Sequence, residues 1–414
     1  MTRVGKGGRW NVVAYHVHDP NMSFVHADIV QFSKHCNRVL LFTTIEPSAR
    51  LRALPNVEVV WPAMDWKRYR PVWLFIAHAP ALLRIYLSEL AATRRWIPLV
   101  PALKKLVTNV FRATEVVRNC RERGVTDAVH YSFWWYDCIY LAWLKRKWGI
   151  PIAVTRTHGG DLYEERGSLD VPCLFRHFQL SAIDAVYSVS EAGTRYLHER
   201  YTTYRSRIRT SYMGTVDHGL GPVRGPLDPW VIVSCAKVRN IKRVHLIGEA
   251  LERVEGIHVR WVHFGGTANA ERDPTVAQFI RTVDRLRQRP NMEVQLMGFM
   301  DNQAIMEWYA SNAVDLFVSM SSTEGLPVSM MEAISFGIPV LSTDVGGCRE
   351  IVNDRTGMLI PLDTAVEEVA RIIEGFGKSH SHLPEFRNRV REEWATKFDA
   401  ASNYNKFFEE LDSK

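Results

Sequence analysis

Glu324 and Glu332 bracket a Gly325–Leu326–Pro327 turn in the stretch SMSSTEGLPVSMMEAISFGIPVLSTDVGGCRE, residues 319–350. The apolar run Val314–Ser319 reads as a strand ending in polar residues, and the helix that follows carries Glu332. Pro327 suits the first helical position, where its missing N–H would be unpaired in any case. A helix N-terminus after a glycine-containing turn presents free N–H groups and a positive dipole end, which favours phosphate. Carboxylates beside such a turn would repel phosphate. They suit vicinal hydroxyls, because an ionised carboxylate accepts two O–H hydrogen bonds from a diol. The combination points to a ligand with diphosphate and polyol parts, such as a nucleotide sugar. On chemistry alone, the two acids are equally consistent with a helix-start acid and a residue on a solvated face.

A second segment supplies cations. The strand Val231–Ala236 runs into Lys237, Val238, Arg239, Asn240, Ile241, Lys242 and Arg243 before an apolar-periodic helix. Cations after a domain's first strand sit where doubly wound sheets receive phosphates, and lysine acts there as a point charge. Taken alone, the run also fits a solvated basic loop. A third segment, IAVTRTHGGDLYEERG, places His158 at a strand end before two glycines, positioned to touch a ligand. The pair Gly265–Gly266 lacks the spacing of a dinucleotide fingerprint and is expected to be a tight turn.

These segments must be carried by a frame. Short β-branched runs alternate with helical stretches, as in parallel α/β units. The first series is Trp10–His16, Arg38–Thr44, Val57–Pro62, Ala128–Phe133, Ile152–His158, Ala185–Ser190 and Arg207–Gly214. The second is Trp230–Ala236, His258–Gly265, Met292–Gly298, Val314–Ser319 and Pro339–Thr343. Between them, GTVDHGLGPVRGPLDP (214–229) is rich in Gly and Pro and marks a linker. Two domains are therefore expected, 1–218 and 219–393, with a helix of about 394–414 packing back onto the first. A chain of 414 residues exceeds what one hydrophobic core usually supports. Two doubly wound domains facing each other across a deep cleft would place the ligand at the carboxyl ends of the strands.

Composition narrows the class. With 46% hydrophobic and 23% charged residues the chain is not of the disordered type. The net charge of +7 is local: residues 66–112 carry nine Lys and Arg against Glu89 alone, which is +8 and leaves −1 elsewhere. The six cysteines stand at least 17 residues apart, so neither a zinc site nor a disulfide scaffold is expected, and a reducing compartment is. The N-terminus lacks a signal-peptide pattern. The most apolar segment, Pro71–Leu87, is interrupted by His78, Pro80 and Arg84, which argues against a transmembrane span.

Together these residues resemble glycosyltransferase family 4, whose fold is GT-B: α/β, with two facing Rossmann-like domains. The segment THGGDLYEER is also similar to bacterial surface-polysaccharide transferases. The family's paired acids, with seven residues between, match Glu324 and Glu332. Its G-x-P-V-x-x-[ST]-D-x-G-G-x-x-E-[IL] run matches Gly337 to Ile351, its Arg and Lys five apart match Lys237 and Lys242, and its first-domain histidine matches His158. The resemblance implies that Glu324 binds hydroxyls of the transferred sugar, with backbone N–H groups of the turn Gly325, Leu326, Pro327 and Val328 near the sugar and phosphate, Pro327 itself having none. Glu332 would bind the nucleotide ribose, Lys237 and Lys242 the diphosphate, and His158 the donor sugar. It implies retention of anomeric configuration, no cofactor and no metal, two lysines and a helix N-terminus stabilising the leaving diphosphate instead. Two departures stand out. The first strand ends in His16, Val17, His18, Asp19, Pro20 and Asn21, where many members have a glycine pair. Lys237 stands where Arg is usual, exchanging a bidentate fork for a point charge.

The expected activity is that of a retaining, metal-independent, hexosyltransferase-type enzyme. Its donor would be a UDP- or GDP-linked sugar and its acceptor a polysaccharide or lipid-linked oligosaccharide. The alternative is a non-catalytic GT-B protein serving as a scaffold in a membrane-associated glycan assembly. In the basic insertion 66–112, cations alternate with Trp66, Tyr69, Trp73, Phe75, Tyr86, Trp96 and Phe111, which suits an anionic membrane surface and equally a solvated helix pair. No nucleic-acid motif accompanies the patch. The expected location is the cytoplasm, on the inner face of the plasma membrane.

Overall fold

Apolar, β-branched runs too evenly hydrophobic to show an alternating pattern form strands covered on both faces, as parallel sheets require. In a computed structural model describing residues 10–166, 173–225, 228–267, 273–378 and 383–412, they make two parallel sheets. The first contains β1 (Trp10–Val17), β2 (Cys36–Thr43), β3 (Val57–Val60), β4 (Val129–Ser132), β5 (Ile152–Thr157), β6 (Ala185–Ser188) and β7 (Ile208–Thr210). Their spatial order is β3-β2-β1-β4-β5-β6-β7. The second contains β8 (Trp230–Cys235), β9 (Val259–Phe264), β10 (Met292–Gly298), β11 (Leu316–Ser319), β12 (Val340–Thr343) and β13 (Gly357–Ile360), in the order β10-β9-β8-β11-β12-β13. Each order reverses once, between β1 and β4 and between β8 and β11. Such a switch point opens a crevice at the strands' carboxyl ends.

The chain divides into two compact units, Met1–Ser211 with Tyr404–Lys414, and Tyr212–Asn403. The C-terminal stretch, expected as one helix from about 394, forms two: Pro384–Lys397 and Ala400–Asp412. Trp394 belongs to the second unit, where its Nε1 donates to Thr215 Oγ1 at 2.8 Å and the preceding Arg387 donates to the Val314 carbonyl at 2.8 Å. From Tyr404 onward the chain belongs to the first unit. Tyr404 donates to buried Asp28, which also accepts from Tyr15 at 2.6 Å, while the Arg156 guanidinium lies 4.5 Å from the Phe407 ring centre. A buried charge is tolerated only when partners satisfy it, and Asp28 and Arg156 do this for each other at 3.4 Å.

The basic insertion folds as two long helices, Pro71–Thr93 and Leu99–Glu122. The first runs unbroken through Pro80, beyond the interruptions at His78, Pro80 and Arg84. Pro80 is exposed, as is Ile76, whose carbonyl loses its helical N–H partner to the proline. By length and composition this helix could cross a membrane. Leu82, Ile85, Tyr86 and Glu89 fix its buried side, and the Glu89 carboxylate accepts from the first-turn N–H groups of His177 and Phe178 at 3.3 and 3.1 Å.

Candidate functional site

The second sheet's switch point holds the residues that the sequence singled out there. After β8 the chain passes Lys237 and makes a single turn, Asn240–Lys242, before the helix Val244–Leu251. After β11 it passes Ser321 to Pro327 before the helix Val328–Ser335. One backbone bond and one side-chain-to-backbone bond tie these two loops together. Ser322 N donates to the Ile241 carbonyl at 2.8 Å, and Arg243 Nε donates to the Met320 carbonyl at 2.6 Å. The result is that Lys242 Nζ meets Glu324 Oε1 at 2.5 Å. Lys237 is exposed on the same loop.

Two glycines make this packing possible. A Cβ on Gly346 (φ +55°) would lie 2.0 Å from the Glu324 carbonyl oxygen, and Gly347 N donates to the Gly325 carbonyl at 2.8 Å. The Asp344-Val345-Gly346-Gly347 turn is therefore the backing that holds Glu324. A Cβ on Gly265 (φ +143°) would lie 1.9 Å from the Ala236 carbonyl oxygen. Gly265–Gly266, expected to be only a tight turn, instead seats the loop carrying Lys237: Val238 N donates to the Gly266 carbonyl at 3.1 Å.

The helix after the turn begins at Val328, one residue later than expected, with Pro327 as its N-cap in extended geometry rather than its first helical residue. Gly325, Leu326 and Val328 stand at or just before this helix start, where unpaired backbone donors and the dipole favour an anion. Glu332 lies on the buried side of the helix, 8% exposed, with Asn302 Nδ2 donating to its Oε1 at 2.7 Å. Burial pushes its carboxyl up to about 7, against the opposing pull of the Asn302 bond. Asn302 was not among the sequence-derived residues, since nothing in its local pattern separates it from a helix-start polar residue. Phe299, 90% exposed in the loop after β10 and beside Gly266, was also not among them.

His158 belongs to the first unit and caps the end of β5. Its ring stacks on Phe133 at 4.3 Å and 15°, and Nε2 lies 3.1 Å from the Phe133 carbonyl, which can only accept. Burial, then the neighbouring Arg156 charge, bring its imidazole down to about 3, so the ring is neutral with Nε2–H donated and Nδ1 left with the lone pair. The residue that fixes it is Asp161. Its Oδ1 accepts from His158 N at 2.6 Å and Thr157 Oγ1 at 3.0 Å, and its Oδ2 accepts from Trp135 N at 2.6 Å. The sequence showed Asp161 only as part of His-Gly-Gly-Asp. An acid three residues on that reaches back to the backbone N–H at the start of a turn has the spacing of the reciprocal bond in a capping box.

Residues 229–376 match the family model described as "Glycosyl transferases group 1". A putative colanic acid biosynthesis glycosyltransferase, WcaL, of Salmonella typhimurium is 27% identical over 186 residues. The match spans 43% of this chain and 43% of that relative, so this chain covers less than half of the relative's length. A putative teichuronic acid biosynthesis glycosyltransferase, TuaC, of Bacillus subtilis is 33% identical over 91 residues, 22% of this chain and 23% of that one. Among solved structures, Anabaena Alr3699/HepE in complex with UDP and glucose superposes with a TM-score of 0.70 at 16% identity, covering 98% of this chain and 100% of that one. At this identity the likeness shows the fold: two parallel-sheet α/β domains of the GT-B type.

Proposed function

We propose that this protein is a glycosyltransferase that moves a sugar from a nucleoside diphosphate onto a bacterial surface polysaccharide or its lipid-linked precursor. The observation that carries the reading is the pairing of Lys242 with Glu324 at the β8/β11 switch point, a cation and a diol-binding acid beside a helix N-terminus. The matched family segment spans that site, and the named relatives concern surface polysaccharides.

In this reading Glu324 accepts hydroxyls of the donor sugar and Glu332, aligned by Asn302, accepts the ribose diol. Phe299 offers a face to the base. Lys237, Lys242 and the N–H groups at Gly325, Leu326 and Val328 take the charge that grows on the leaving diphosphate, so that no metal is needed. His158 offers Nδ1 as an acceptor to a sugar hydroxyl. We read the transfer as retaining, as the family resemblance implies. The bond from the anomeric carbon to the diphosphate oxygen breaks, a bond to the acceptor oxygen forms on the same face, and the acceptor proton passes to the leaving diphosphate.

The insertion supports work at a membrane. The helix Pro71–Thr93 exposes Val72, Trp73 (71%) and Ile76, and Trp96 beyond it is 83% exposed, with Arg68, Arg70, Arg94 and Arg95 nearby in sequence. An apolar face rimmed by cations is complementary to anionic lipid. We propose peripheral binding there, and expect anionic vesicles to sediment the protein in a salt-sensitive way.

The transferase reading is tested by a thermal-shift screen of UDP- and GDP-linked sugars. Stabilisation of about 2.7 kcal/mol is expected from a ligand at 100 times its dissociation constant. No shift with any nucleotide or nucleotide sugar would overturn the reading.

A further inference from the structure

The insertion helix that offers Trp73 to solvent is fastened, on its other side, toward the loop that carries His158. Glu89 is buried, and its two carboxylate oxygens accept from His177 N at 3.3 Å and Phe178 N at 3.1 Å. These N–H groups belong to the first turn of the helix Arg176–Ala182 and have no intrahelical partners. That helix lacks a cap of its own. Phe175, the residue before it, carries no polar side chain and is held at φ +62°, where a bulky residue is strained. An acid at a helix start satisfies the donors and matches the dipole, so Glu89 does from another element what an N-cap residue does locally.

The same helix begins with Arg176, which is buried and spends its guanidinium on the His158 loop. It donates to the Asp161 carbonyl and, at 3.0 Å, to the Leu162 carbonyl, and it lies 4.1 Å from the Trp135 ring centre. Asp161 in turn holds His158 N and Trp135 N. A second link runs beside this one. Arg95, two residues past the end of the helix Pro71–Thr93 and next to exposed Trp96, reaches Glu164 at 3.2 Å. With its side chain 65% exposed, Arg95 makes the weaker of the two links.

We propose that Glu89 is a positioning residue for His158. Coupling between distant groups is carried by packed side chains and hydrogen bonds, here Glu89, the helix start at Arg176, and Asp161. A lipid surface that holds the helix Pro71–Thr93 thereby also holds the His158 loop. The lipid step rests on the membrane reading, and the sugar contact of His158 on the transferase reading. The tie between Glu89 and the loop rests on neither.

The test is amide hydrogen exchange of the full chain, read by mass spectrometry over residues 158–166, with and without phosphatidylglycerol vesicles. Without vesicles, Glu89→Ala should exchange there at least tenfold faster than the wild type, with no acceleration in the helix Ser23–His35. Exchange reports local opening, so a merely global loss of stability would speed both segments. Glu89→Gln keeps an acceptor at one oxygen and should be at least threefold faster than the wild type; it decides the matter if Glu89→Ala does not fold. Glu115→Gln is the control, a buried acid of the second insertion helix that holds Asp65, Arg68 and Arg118 instead, and it should exchange over 158–166 as the wild type does. Wild-type exchange in the folded Glu89 variants, or equal acceleration in Ser23–His35 or in Glu115→Gln, would overturn the proposal. Vesicles should slow exchange over 158–166 at least threefold in the wild type and leave Glu89→Ala unchanged; vesicle-bound wild type without slowing would overturn the lipid step. Absence of vesicle binding would sink the membrane reading alone, because the vesicle-free comparison still decides the role of Glu89. Failure of the nucleotide-sugar screen alters none of these outcomes.

Discussion

Lys242 Nζ donates to Glu324 Oε1 across 2.5 Å, joining the loop after β8 to the turn after β11. The contact places a cation against the acid proposed to hold the donor sugar, where in the proposed reaction charge would develop on the leaving diphosphate. Lys242→Ala should lower kcat about 10²–10³-fold, as loss of one preorganised donor does. Steady-state turnover on a transferable donor checks this, with Lys242→Arg expected to recover part of the loss by restoring the charge.

Glu332 gives a pH signature. Its carboxyl sits at about 7 in the folded protein against 4.5 for the free group, because burial penalises the charge. Between those values the folded state holds a proton that the unfolded chain releases. This contribution to stability is full below about pH 4.5 and is lost as pH rises through about 7. Diol binding needs the ionised form, so affinity moves the other way. From pH 6 to pH 8, nucleoside diphosphate affinity should rise up to about tenfold while the ligand-free melting temperature falls. Glu332→Gln should flatten both trends, read by titration and by thermal unfolding.

The frame was largely legible, because parallel strands buried on both faces announce themselves as apolar runs between helices. The twelve strands read from the sequence all form. The missed one, Gly357–Ile360, has only the residues GMLI and follows the four-residue helix Cys348–Ile351 too closely to show a repeat. Glu324, Glu332, Lys237, Lys242 and His158 could be named as candidates from residue type, spacing and the family resemblance, and the structure brings Lys242 against Glu324. The contacts that hold the candidates in place were not legible. Gly346 backs Glu324, Gly265 seats the Lys237 loop and Asn302 aligns Glu332 through contacts set by tertiary packing, whereas Asp161 reaches back three residues to His158 N by a local bond. The two-helix course of the C-terminal stretch was likewise set by tertiary packing.

Phe299 should carry base affinity. An exposed aromatic ring after β10 that stacks on a base is worth about 1–3 kcal/mol by alanine substitution. Phe299→Ala should therefore weaken nucleoside diphosphate binding by about tenfold or more, with unchanged melting temperature because the ring is 90% exposed. Titration of the variant with both UDP and GDP measures it; unchanged affinity would remove Phe299 from the site.

Asp161 is a positioning residue. Its carboxylate takes bonds from Trp135 N, His158 N and Thr157 Oγ1, holding the ends of β4 and β5. Asp161→Ala leaves buried donors without partners, each costing about 1–3 kcal/mol. A clear fall in melting temperature is expected, and Asp161→Asn, which keeps the acceptor at one oxygen, should fall less. Thermal unfolding of both variants, with His158 ring resonances as a local reporter, checks the assignment.

Metal independence is proposed because Lys237, Lys242 and the helix start would carry the charge of the leaving diphosphate in the proposed reaction. Turnover after exhaustive EDTA treatment should match the untreated enzyme, whereas a loss restored by Mg²⁺ or Mn²⁺ would assign the charge to a metal.

The central claim is that the β8/β11 switch point binds a nucleoside diphosphate through Lys242 and Glu332. The most direct measurement is calorimetric titration of UDP and GDP into the wild type, Lys242→Ala and Glu332→Ala. The account predicts saturable binding of one nucleotide to the wild type and its loss in both variants, with folding intact by circular dichroism. Wild-type affinity in both variants would contradict it.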